Sequence, residues 1–261
     1  MDFEAFLDEI RTSAGYRDQI VYTRTVEPRP ARYAEPSEPL SAEARAALAA
    51  RGIERLYCHQ AQALDAVRLG QDVLVATGAA SGKSLCYVLP IVELLSRDAR
   101  ARALLLFPAQ DQFRGFGESL EAAGLADRLA GVYDGDTPGP LRRRLRDRGR
   151  VVFSNPDMVH AALMPQHARW AEFLSNLRLL VLDEVGKEKP SAHTREVYFY
   201  IIDERLKWGL PVLVTSNLPL EGEGSLEELM GAAAVSRLIG MCQGNCFELR
   251  GEDFRRRKKR P

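Results

Sequence analysis

DVLVATGAASGKSL, residues 72–85, decides how the chain is read. A short apolar run enters a loop bearing Gly78 and Gly82, and GKS then opens a stretch of helical character extending to about Ser96. Strand, glycine loop and helix in that order form a phosphate cradle, because loop and helix N–H groups converge on the anion. Gly78 and Gly82 relieve crowding where backbone meets ligand, while Thr77, Ala79, Ala80 and Ser81 complete the loop. Lys83 is placed to reach the β/γ oxygens and Ser84 to ligate Mg²⁺. The glycine that usually stands five places before Gly82 is here Thr77.

Outward from this segment, apolar runs alternate with helical stretches. DVLVAT, ALLLF, VVF near 151, LRLLVLDE and PVLVTSN read as strands. Helices are expected from Ser41 to Gly52, 61–69, 83–96, 112–123, 194–208 and 225–242. Continuous apolarity within the strands fits a mostly parallel sheet covered on both faces, so the fold class is α/β, a three-layer arrangement. The proline-bearing segment VEPRPARYAEPSEPL suggests an extended arm over 1–40, then one nucleotide-binding domain over 41–250 and a basic tail over 251–261.

Composition narrows the function classes. At 261 residues with 46% hydrophobic content, the chain can bury a sizeable core. Lys plus Arg and Asp plus Glu are both 36, so an argument for nucleic-acid binding must rest on local clusters, at 142–150 and 255–260. The acidic start MDFEAFLDEI and the lack of a long apolar run lead to the expectation of a cytoplasmic protein without membrane association. Cys58, Cys86, Cys242 and Cys246 are too scattered for a disulfide framework, and Cys242/Cys246 lacks the second pair that a zinc site needs. The four histidines, 59, 160, 167 and 193, lack metal spacing and read as surface or packing residues; Trp170 and Trp208 read as core anchors, and Arg142–Arg148 as an exposed helix face.

LLVLDEVG delivers Asp183 and Glu184 to the carboxyl end of a strand, where open α/β sheets hold ligands. Asp183 is expected in the Mg²⁺ shell and Glu184 as the general base that polarises water. PVLVTSN would lie between the loop strand and the Asp-Glu strand, placing Asn217 beside the γ-phosphate; a role in the following turn is the competing reading. Arg237, on an otherwise apolar helix, either snorkels to solvent or reaches an anion.

These residues resemble two families. LYCHQAQAL, ATGAASGKSLCYVLP, ALLLFPAQDQ, GVYDGDTP, VVFSNPDMVH and HARWAEFLSNLRLLVLDE, within about 30–184, look like the first RecA-like domain of superfamily 2 DExH-type (DEAD/DEAH-box) DNA repair helicases. The resemblance implies ATP and Mg²⁺ as ligands, Gln60 as the adenine reader, and a single-strand track along FPAQDQ, YDGDTP and NPDM. From Leu179 to about residue 257 the chain is similar to helicase-loader and transposition-helper AAA+ ATPases, in LVLDEVGKEKPSAHTREVYFYIIDERLKWGLPVLVTSNLPL, SRLIGMC and FELRGEDFRRR. That likeness implies Asn217 as sensor and Arg237 as a finger acting on a neighbouring subunit. Gly186 stands where the helicase family carries a histidine.

The combined expectation is an ATPase coupled to nucleic acid, DNA more than RNA, with self-assembly or a replicative helicase as possible partner. An autonomous helicase is the alternative, weakened by the short span after Glu184. A nucleotide-binding module without turnover is the second alternative, opposed by the intact Lys83, Asp183 and Glu184.

Overall fold

The computed structural model describes residues 3–22, 31–77, 81–107, 112–127, 129–187 and 192–249. The chain divides into two compact units, with the boundary between Arg32 and Tyr33. In the first, α1 (Phe3–Thr12) is an amphipathic helix.

The second unit opens with α2 (Ala42–Ala49), where the Ser41 hydroxyl accepts from Ala44 N at 3.1 Å, and Gly52 follows at φ +65°. That is the cap-and-stop pattern read from the sequence. There follow α3 (Cys58–Arg68), β1 (Val73–Thr77), α4 (Leu85–Arg97), β2 (Arg102–Leu106) and α5 (Gln112–Ala122). Next come β3 (Ala130–Val132), α6 (Gly139–Arg148), β4 (Val151–Ser154) and the short α7 (Pro156–Met158), which leads through a π turn and a 3-10 turn to α8 (Ala171–Ser175). The chain continues with β5 (Leu177–Val185), α9 (Ala192–Trp208), β6 (Val212–Ser216), α10 (Leu226–Met230), α11 (Ala232–Cys242) and β7 (Cys246–Leu249).

Among the described residues, seven strands pair in parallel, in the order β3-β4-β2-β5-β6-β1-β7. The fold is α/β with helices on both faces. Strand residues alternate between two cores, as the period of two requires. Leu74, Leu104, Leu106, Leu180, Leu182 and Val214 pack with α9 to α11, whereas Val73, Val75, Ala103, Leu105, Val181 and Leu213 pack with α3 to α5. Fully burying each Leu or Val stabilises by about 1.5–3 kcal/mol, so the pattern holds the register as well as the layers.

The structure corrects several expectations. The helix foreseen over 225–242 is broken at Gly231 (φ +92°, ψ 143°), a conformation that a glycine adopts without a Cβ penalty. β3 and β7 went unread, since three or four residues in a strand carry almost no periodicity, whereas the helix expected at Arg142–Arg148 is α6. Trp170 is buried, but Trp208, at the last turn of α9, is 73% exposed and anchors nothing. Arg142 is no free member of a charged face: its guanidinium folds back and donates to the carbonyls of Thr137, Asp134 and Gly135.

Residues 33–41 are tied to α3 and α4. Tyr33 bridges Tyr57, and Ala34 N donates to Leu56 O. Glu93, 3% exposed in its side chain, accepts from Ser41 N and from the Arg68 guanidinium, which also donates to the Glu38 and Pro39 carbonyls.

Candidate active site

Because every strand is parallel, all carboxyl ends lie on one edge, and β5, β6 and β1 are neighbours there. The strand bearing Asn217 does lie between the loop strand and the Asp-Glu strand. Lys83 turns back across this edge, and its ammonium donates to Thr77 O at 2.8 Å and Asn217 Oδ1 at 2.5 Å. Burial pulls its pKa down while Asp183 and Glu184 pull it up. A cation held under that tension gains from an incoming anion.

The loop itself is braced from below. Gly82, at φ +77°, leaves no room for a Cβ, which would stand 2.5 Å from Gln60 Nε2. Gln60 is 2% exposed and bonded at both ends: Nε2 donates to Gly82 O at 2.9 Å, and Oε1 accepts from Tyr57 N at 2.9 Å. Thr77 and Ser81 hydroxyls meet at 2.5 Å. Ser84 caps α4 without a side-chain capping bond. Gly78, Ala79 and Ala80 lie outside the described residues.

Asp183 is 3% exposed and gripped by two hydroxyls, Thr215 donating to Oδ1 at 2.5 Å and Tyr87 to Oδ2 at 3.0 Å. Burial raises its pKa, and these two bonds oppose the rise. Tyr87, pushed far up by its own burial and then by Asp183, stays a donor. Beyond Asp183 the ladder to β6 shifts register, and Glu184 takes φ +49°, its N–H donating to Thr215 Oγ1 at 3.0 Å. The Glu184 carboxylate pairs with Lys187 at 2.7 Å. At Gly186, φ +97°, a Cβ would meet Leu218 Cδ1 at 2.5 Å, a physical reason for glycine there.

Three residues of the site escaped sequence reading. His59, 4% exposed, donates through Nε2 to Ser81 O at 3.1 Å; burial lowers its pKa, and the neutral ring with that proton fits the geometry. Tyr87 looks like one more core residue of an apolar helix, and only the folded arrangement aims its hydroxyl at Asp183. Tyr57 stacks on Tyr33, centroids 5.3 Å apart, and Arg55 lies 4.3 Å over Tyr33. With Gln60, Gly82 and Leu85, these residues line a cleft of about 490 Å³ beside the loop.

Arg237 is not brought to this edge. On α11, its guanidinium lies over Phe199 at 4.8 Å, and its Nε stands 3.3 Å from Asp203 on α9. The remaining half of the edge holds YDGDTP, NPDM and the described Phe107 of FPAQDQ, the segments read as a single-strand track. Asn155 caps α7 by accepting from Met158 N at 2.8 Å, and Asp134 and Thr137 lock their turn through a 2.7 Å bond. Of FPAQDQ, Phe107 is buried and 108–111 lie outside the described residues.

The donors fit a magnesium nucleotide: a buried ammonium, a hydroxyl at a helix start one turn before Tyr87, and a buried carboxylate supply hard oxygen and cationic contacts. The family model for DEAD/DEAH box helicase matches residues 57–207, more than half of the chain. The chain belongs to the DEAD/DEAH box helicase family. It is 37% identical over 183 residues to the uncharacterized ATP-dependent helicase YprA of Bacillus subtilis (strain 168), covering 69% of this chain and 24% of that protein. To the ATP-dependent helicase HRQ1 of Saccharomyces cerevisiae it is 35% identical over 184 residues, covering 69% of this chain and 17% of that one. The crystal structure of the DUF1998 helicase MrfA bound to DNA and AMPPNP superposes with a TM-score of 0.68 at 33% identity, over 79% of this chain and 30% of that one. The chain thus spans about a quarter or less of the length of these two relatives. The match to the family model runs past Leu179, where the loader-like resemblance begins, and ends before Trp208; β6, α10, α11 and β7 lie beyond it. Among the described residues, no helix is long and apolar enough to cross a membrane.

Proposed function

We propose that this helicase-family domain binds and hydrolyses MgATP at the β1/β6/β5 edge and couples the reaction to DNA lying along the β2/β4/β3 edge. The observation that carries the reading is the convergence of Lys83, Asn217, Asp183 and Glu184 on three adjacent strand ends. Bound between Ser84 and Asp183, Mg²⁺ would neutralise phosphate charge. Lys83 would leave Asn217 for the β/γ oxygens, freeing the amide to orient the γ-phosphate or the attacking water. Glu184, released from Lys187, would take the water's proton. Gln60 positions Gly82 from beneath, and the cleft beside it takes the base. The DNA assignment rests on the carboxyl-edge placement of Phe107, 133–138 and 155–158 and on MrfA's bound DNA.

The test is phosphate release with and without single-stranded DNA. Wild type is expected to turn over and to be stimulated by DNA, and Glu184→Gln to lose about 10²–10³-fold in kcat while retaining nucleotide. Equal background rates for the two proteins would overturn the enzymatic reading.

For Arg237 we propose service in trans, on a neighbouring subunit's nucleotide, because its contacts in its own chain run to α9 and it is half-exposed. Mixing Arg237→Ala into wild type should then depress activity more than in proportion. Strictly proportional loss would assign it to clamping α9 and α11.

A further inference from the structure

Cys242 is the last residue of α11 and Cys246 the first of β7. The reversal between them is built from two left-handed residues, Gln243 at φ +42° and Gly244 at φ +101°. It is fixed at both ends: Asn245 N donates to Cys242 O at 2.7 Å, Leu74 N donates to Asn245 O at 3.0 Å, and Cys246 registers opposite Leu74 on β1. The two side chains pack on the same apolar cluster, Cys242 fully buried and Cys246 half-buried.

We propose that Cys242 and Cys246 form a peroxide-sensitive dithiol that closes to a disulfide across this reversal, beside the strand that leads to the phosphate loop. Cys246, half-buried, is the thiol that peroxide can reach, and Cys242 is fully buried, which divides the attacking and resolving roles; the contact between the two sulfurs favours the Cys246 thiolate and, with burial, disfavours that of Cys242. The Cys246 thiolate attacks hydrogen peroxide: an S–O bond forms, the O–O bond breaks, hydroxide leaves, and sulfenic acid remains. The Cys242 sulfur then displaces that oxygen; the S–S bond forms, the S–O bond breaks, and the Cys242 proton leaves with the oxygen as water. Both sulfurs are oxidised, and the peroxide is reduced. Of the other two thiols, Cys86 is buried with its pKa pushed up to about 12, which leaves Cys58 as the competitor.

The full chain is treated with hydrogen peroxide at neutral pH, alkylated and digested with trypsin. Peptide Leu238–Arg250 carries both cysteines and no internal cleavage site, so closure reads as loss of two hydrogens and of both alkyl groups, distinct from oxygen gained at Met241. Closure is expected to precede oxidation of Cys58, and this selectivity should vanish in denaturant. Cys242→Ala should stop at a dimedone-trappable sulfenic acid on Cys246. Cys58 reacting first, Cys246 advancing to sulfinic acid beside an intact Cys242 thiol, or selectivity that persists in the unfolded chain would overturn the proposal; each of these is read on wild type and is independent of whether the variant folds.

Discussion

Asp183 shows how a site of this kind costs stability at the level of one residue. Its carboxyl is 3% exposed, and burial raises its pKa from the ordinary 3.8, so folding penalises the charged form relative to the unfolded chain. Stability from this group is greatest below the unfolded value and falls as pH rises toward the folded value. Asp183→Asn should therefore gain on wild type as pH goes from 4 to 7, measured by urea unfolding without nucleotide, and lose the stabilisation that MgATP gives. Gly82 makes a complementary case. Gly82→Ala must hold a Cβ at φ +77° against Gln60, so we expect a loss of at least about 1–2 kcal/mol and a smaller ATP-induced rise in Tm, read by thermal unfolding. Most residues of the candidate site were legible because their placement depends on local order: GKS after a strand, DE at the end of one. Tyr87, Tyr57 and His59 were not, since aromatic residues within apolar or mixed helices give no sign of where a hydroxyl or ring nitrogen points.

Among the elements, the strands with four or five consecutive buried residues were readable from apolarity alone, and this is why β1, β2, β4, β5 and β6 were recovered. β3 and β7 are edge strands of three and four residues, whose pairing is settled by partners distant in sequence. The break between α10 and α11 has a local cause. Gly231 has open space around its missing Cβ, so Gly231→Ala should lose about 1–3 kcal/mol through backbone strain alone, with little change in ATP turnover. Urea midpoints together with phosphate release would check this. Unchanged stability would mean that the junction re-forms as a continuous helix.

In the molecule as a whole, the Arg68–Glu93 pair holds 38–41, α3 and α4 together behind the phosphate loop. Although burial pushes the Glu93 pKa up, Arg68 and Ser41 N–H hold it below its ordinary value. Its contribution is present at neutral pH and is lost as pH falls below the usual glutamate value. Glu93→Leu leaves the buried Arg68 guanidinium with only Asp65, at 3.4 Å, and two carbonyls, and should cost about 3 kcal/mol, with faster hydrogen exchange at 38–41 than elsewhere. Uniform acceleration would refute a local role. Sequence pattern could not reveal this node, because neither partner's burial is encoded near it.

The Lys83–Asn217 contact spans 134 residues, and the bond from Val212 N to Asp72 spans 140. During synthesis, at about 5–20 residues per second, β1 and its lysine wait on the order of ten seconds before β6 leaves the ribosome. Through that interval, β1's apolar edge has neither of its eventual neighbours, β6 and β7, so the nascent chain passes through a period in which its most ligand-ready segment is also its stickiest.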